Sequence, residues 1–165
     1  MSDKLTDRAL HKIMVEQGHT PTFVPKKERK KRDDEESRNQ RELIKWWHVA
    51  CRGFGVPEIL LFSIPNGGGR SGPIIGSILK AEGLRKGAPD LMLAKSKEVY
   101  EKHPERGHKI HAFTWNGLFI EMKTPTGHIL PEQEVFHKLL REHGYQVEVC
   151  RGWQEARDVI TKYLT

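Results

Sequence analysis

Leu118-Phe119-Ile120-Glu121-Met122-Lys123 decides how this chain is read. The run follows Asn116-Gly117, a tight-turn signal, and its first three residues are large and apolar, which predicts a strand. Alternate residues of a strand share a face, so Glu121 and Lys123 project together and Met122 packs behind them. Two ionised groups beside such apolar neighbours need a reason, because a carboxylate is costly to bury unless it is paired or holds a metal. The alternative is a surface strand carrying a Glu–Lys pair, which is worth little.

Upstream, Leu91-Met92-Leu93-Ala94 forms another short apolar run after Pro89-Asp90. If the two runs pair antiparallel, Asp90 and Glu121 converge. Two hard carboxylates suit Mg²⁺, which takes one or two such ligands with waters and phosphate oxygens.

Around these runs, elements alternate. A helix is predicted near Glu35–Arg52, with Leu43, Ile44, Trp47 and Cys51 at helical spacing and Trp46 beside them. A strand is predicted at Ile59–Ile64, then a loop at Asn66–Gly69, then a helix from Pro73 to Glu82 with Ile74, Ile75, Ile78 and Leu79 inward. Lys95 to Gly107 reads as an insertion or long hairpin loop, and Lys109 to Trp115 as an extra strand. Pro131 opens a helix with Val135, Phe136, Leu139 and Leu140 inward, ended by Gly144. A strand over Tyr145–Cys150 follows, then a helix over Trp153–Leu164 with Ala156, Val159, Ile160 and Leu164 on one face. The order implies an α/β fold with a central mixed sheet flanked by helices.

Residues 1–38 read as a charged arm or short helix with a linker, and 39–165 as the globular domain. Lys26–Arg32 is basic and Asp33–Glu36 acidic, a juxtaposition usual in solvated segments. The 165-residue chain has 28 Lys and Arg against 22 Asp and Glu. Its net charge is +6, of which +4 falls after Arg38. That permits an anionic partner such as nucleic acid. The two cysteines, Cys51 and Cys150, exclude a disulfide scaffold and a four-cysteine zinc site. They point to a reducing compartment, read as the cytoplasm. No apolar run approaches the ~20 residues of a membrane span. The nine histidines include His103, His108 and His111 on the insertion, read as surface-loop residues.

The chemistry-bearing residues come in a set. It runs Pro65-Asn66-Gly67-Gly68, Arg70, Lys80, Gly83, Lys86-Gly87-Ala88-Pro89-Asp90, Glu121-Met122-Lys123, Thr126-Gly127, Pro131, Gln133, and then Gly144-Tyr145 with Arg151-Gly152-Trp153. Over about Gln40 to Leu164 this resembles the VRR-NUC family of the PD-(D/E)xK nucleases, especially its compact phage and bacterial members. The resemblance implies a restriction-endonuclease-like core and a cytoplasmic protein of a bacterial cell or its phage. Asp90 and Glu121 correspond to the metal-binding acids, the Met122 carbonyl to a further ligand and Lys123 to the catalytic lysine. Gln133 corresponds to the family's glutamine inside the following helix. A residue of the first helix also belongs to the site. Gln40 fits best, Glu36 competes and Glu42 is third.

The resemblance further implies Mg²⁺ or Mn²⁺, no organic cofactor, and DNA as substrate. The compact members act on branched DNA, notably four-way junctions, as homodimers. A flap-directed or less specific nickase is the alternative enzyme, and a DNA-binding module without catalysis is the alternative class. Asn66, Gly67 and Gly68 form either a plain turn or a loop whose backbone donors approach a phosphate. Arg70, Lys80, Arg85 and Lys86 are candidate phosphate contacts or surface charges.

Overall fold

The computed structural model describes residues 35–65 and 73–165, with the side chains of 73–76 excepted. Asn66, Gly67, Gly68, Arg70, the side chains of Ile74 and Ile75, and the arm up to residue 34 lie outside the described residues.

Helix α1 spans Glu35–Ala50, so it begins upstream of the 38/39 division. A 3₁₀ turn at Glu58–Leu60 leads into β1, Leu61–Ser63. Helix α2 is Pro73–Ala81, and β2 is Leu91–Leu93. Strands β3 (Lys97–Lys102) and β4 (Lys109–Trp115) follow, then β5 (Leu118–Lys123). Helix α3 (Pro131–Glu142), strand β6 (Gln146–Arg151) and helix α4 (Trp153–Leu164) complete the chain.

Four strands form one sheet in the order β1-β2-β5-β6. The first two pairings are antiparallel and β5–β6 is parallel, so the sheet is mixed. The parallel pair needs a crossover, and α3 supplies it.

The alternation of β5 sorts the layers. Leu118, Ile120 and Met122 belong to the core cluster with Leu43 and Trp47 of α1 and Ala156, Ile160 and Tyr163 of α4. Phe119, Glu121 and Lys123 take the opposite face, and α3 lies there, with Phe136 and Leu140 lining a pocket shared with Phe119. All six residues of β5 are buried, which removes the surface-strand reading.

The apolar positions of α3 sit differently from expectation. Its buried residues are Gln133 and His137, while Val135 and Leu139 are 61% and 50% exposed. The helix turns this polar pair inward, where Gln133 bonds to Glu121 and His137 faces the same carboxylate. Ile78 of α2, expected inward, is also half exposed.

The insertion is more ordered than expected. Lys97–Lys102 is a strand, paired antiparallel with β4 as a separate two-stranded ribbon. Its base is fixed to the end of α4, where the Tyr163 hydroxyl donates to the Lys95 carbonyl and Lys97 Nζ donates to that of Lys162, both at 2.7 Å. Among the described residues no helix is long and apolar enough to cross a membrane.

Candidate active site

Glu121 is 1% exposed, so its carboxylate has left water. Its Oε1 accepts from Lys123 Nζ at 2.8 Å, on the same face of β5, and from Gln133 Nε2 at 2.5 Å. The amide of Gln133 has its orientation imposed. Its Oε1 accepts from the Leu130 backbone N–H at 3.0 Å, one of the donors a helix start leaves unsatisfied, so only the NH₂ group can face Glu121. Pro131 sets the helix start that makes this geometry available. A buried carboxylate held in this way is expensive to disturb: removing one partner of a buried pair costs about 3–5 kcal/mol.

Asp90 arrives from the neighbouring strand. Leu91 pairs with Ile120, and one step further along the same register sets Asp90 across from Glu121. The half-buried Asp90 accepts the Met122 backbone N–H through Oδ2 at 2.8 Å, and its own carbonyl accepts from Ile64 N at 2.8 Å. The segment before it presses on α3. Gly87 has φ +88°, and a Cβ there would lie 2.5 Å from the Glu132 carbonyl oxygen. Lys86 also donates to the Glu132 carboxylate, which holds that carboxyl below its ordinary range. The loop carrying Asp90 and the helix carrying Gln133 are thereby locked together.

The donor set can be tested against a divalent cation. Glu121 Oε2 is buried and makes no hydrogen bond. A buried carboxylate oxygen in this state has lone pairs left for a donor or a cation. Among the described residues no cluster of three or more His, Cys, Asp or Glu side chains could cage a metal. Two acids on adjacent strands fit a hard cation that keeps most of its waters, as Mg²⁺ does. They do not fit a closed structural zinc site.

The structure therefore brings together Asp90, Glu121, Met122, Lys123 and Gln133. Gln40 lines a cleft with Leu61, Phe62 and Ser63 of β1, and Ser63 is the register partner of Leu91, the residue after Asp90. Glu36 is half-buried in the first turn of α1. The adjacent Asn39 accepts the Trp153 N–H at 3.2 Å, tying α1 to the end of β6, whose Arg151 pairs with Lys123. Arg85 Nη1 donates to the Lys80 and Leu84 carbonyls, capping the end of α2, and Lys86 is engaged with Glu132. All three cations are exposed. His103 accepts the Glu105 and Arg106 backbone N–H groups, an ordinary turn role.

One site residue escaped the sequence reading. His137 is 2% exposed, and its Nε2 lies 3.6 Å from Glu121 Oε2. Its spacing from Gln133, four residues on one helix, was the available signal, since i and i+4 share a helix face.

A model of the VRR-NUC domain family matches residues 26–154. A solved structure described as a VRR_NUC domain protein superposes with a TM-score of 0.57 at 21% identity, covering 78% of this chain and 87% of its own. That likeness shows the mixed α/β fold. None of the curated proteins compared matches the chain.

Proposed function

The chain belongs to the VRR-NUC domain family, whose members are nucleases, and from that premise we propose that it is a metal-dependent endodeoxyribonuclease acting on branched DNA. The observation that carries the reading is the buried Glu121 carboxylate, with Lys123 and Gln133 on one oxygen and no hydrogen bond on the other.

Glu121 and Asp90 are the groups that would hold Mg²⁺ or Mn²⁺, with the Met122 carbonyl as a further candidate. Bound there, such an ion would lower the pKa of a water and counter phosphate charge. The protein's own groups do the rest. Lys123 Nζ is fixed 2.8 Å from Glu121 and 8% of the residue stays exposed, so the ammonium can donate to an incoming phosphate oxygen or orient the attacking water. The attacking water gives a proton to solvent as its oxygen bonds to phosphorus, one P–O ester bond breaks, and the leaving oxygen takes a proton back from solvent. Gln133 holds Glu121 in place throughout.

Preference for four-way junctions and a two-fold dimer are parts of the proposal. Paired incisions across a symmetric junction need two sites, which a dimer supplies. The test uses a labelled synthetic four-way junction, a flap and a matched linear duplex, each with Mg²⁺, Mn²⁺ or EDTA. Wild type is compared with Asp90→Ala and Lys123→Ala. Cutting of the junction that needs the metal and disappears in both variants is expected. Activity surviving EDTA, or surviving in both variants, overturns the mechanism. Equal cutting of flap or linear DNA removes the junction preference alone. Full junction activity from a monomer in light scattering removes the dimer.

A further inference from the structure

His137 and Glu121 present two polar atoms to each other in the interior of the protein. His137 Nε2 and Glu121 Oε2 are 3.6 Å apart, both residues are at most 2% exposed, and neither atom has a hydrogen-bond partner. A contact of 3.6 Å is too long for a hydrogen bond, and about 0.6 Å of closure would make one. No bridging water fits between atoms already this close, since two hydrogen bonds through a water would set them roughly 5 Å apart or more unless sharply bent.

Everything else about Glu121 is already fixed. Oε1 is held by Lys123 and Gln133. A carboxylate pinned at one oxygen still pivots, because the last torsion of a Glu side chain is broad and roughly two-fold. The oxygen left over is the one suited to a cation. His137 is the group that faces it, and the helix carrying His137 also carries Gln133, so both restraints come from one rigid element.

We propose that His137 is a positioning residue of the metal centre. Its imidazole carries the proton on Nε2 and donates it to Glu121 Oε2, fixing the plane of the carboxylate before a cation arrives. His137 acts through Glu121 and does not itself touch the metal or the DNA. The inference rests on the metal-dependent reading above. The physical benefit is preorganisation: a carboxylate already oriented binds without rotational loss. Partners of metal ligands that act in this way typically contribute 10–100-fold to affinity or activity.

The test measures Mn²⁺ binding by electron paramagnetic resonance, together with DNA cleavage and thermal melting, on the full chain. His137→Phe fills the space without a donor. His137→Gln keeps an N–H donor near the same point. The phenylalanine variant, folded, is expected to bind Mn²⁺ ~10-fold or more weakly and to lose kcat in proportion, with KM for DNA unchanged. The glutamine variant is expected to recover most of that loss. If His137→Phe unfolds, His137→Leu replaces it in the same comparison. Wild-type Mn²⁺ affinity in a folded donor-less variant overturns the inference, and so does a folded His137→Gln no better than that variant. A wild-type protein that binds no Mn²⁺ overturns the metal-dependent reading itself, which separates the two failures.

Discussion

Replacing Gln133 by Glu changes one NH₂ group to oxygen and almost nothing in volume. In the native protein Gln133 Nε2 is 2.5 Å from Glu121 Oε1, and its Oε1 is 3.0 Å from the Leu130 N–H. The variant keeps the second contact and turns the first into carboxylate against carboxylate. Charge centres ~4 Å apart at an effective dielectric of 20 repel by about 4 kcal/mol. The hydrogen bond lost to a charged acceptor adds a further ~1.5–3 kcal/mol. The introduced carboxyl can relieve this by keeping its proton, because like charges sharing a site raise the pKa of one of them.

The sign of the pH dependence follows. A carboxyl whose folded pKa is raised gives no penalty below its unfolded value of ~4.3, and destabilises progressively as pH rises from there to the raised value. Gln133→Glu should therefore melt close to wild type near pH 4.5 and well below it at pH 8. With about 2–4 °C per kcal/mol for a chain of this size, the gap at pH 8 should be roughly 10 °C or more. Differential scanning calorimetry across pH 4.5–8 measures it, beside cleavage of labelled DNA over the upper half of that range. A gap that stays constant with pH, or a variant as active as wild type at pH 8, refutes the role given to Gln133.

Gly87→Ala places a Cβ against the Glu132 carbonyl in a left-handed backbone conformation, and should lower stability by about 1–3 kcal/mol while shifting Asp90 enough to weaken Mn²⁺ binding; calorimetry and spin-probe titration read the two effects. Cys150 is buried and its thiol is pushed up to about 12 from 9.0. A raised folded pKa means that stability is intact below pH 9 and declines as pH climbs from 9 towards 12, by up to about 1.4 kcal/mol per unit from this group; Cys150→Ala should flatten that part of a denaturation profile, and native Cys150 should resist thiol reagents at pH 8. Asn39→Ala removes the acceptor for the first N–H of α4 and should cost ~1 kcal/mol by urea titration, with cleavage essentially unchanged.

The strands and helices that position the site were legible because they follow simple periods. β5 alternates, α1 and α4 bury every third or fourth residue, and Pro131 and Gly144 mark the ends of α3. The acids and Lys123 were legible because charges embedded in apolar strands need a reason. What escaped has a common cause. In α3 the apolar pattern promised that Val135 and Leu139 would be buried, yet the inward face is that of Gln133, Phe136, His137 and Leu140, which brings Gln133 and His137 to Glu121. Hydropathy alone could not place a helix whose inner face is chosen by hydrogen bonding. The same blindness hid His137, whose partner lies on another strand, and the Asn39 cap, whose partner stands far along the chain. β3 is charged and largely exposed, so it carries no hydrophobic period to read.

The ribbon has a practical corollary. Leu93 and Leu118 are register partners, so the polypeptide leaves the main sheet and rejoins it at adjacent points. Everything from 94 to 117 is a side excursion between two strands that already pair. Lengthening an excursion whose ends are held costs only ~0.6 kcal/mol per doubling in closure entropy. The tip between Lys102 and Lys109 is thus a natural port, where a guest domain or reporter could be spliced in without altering how Asp90 meets Glu121.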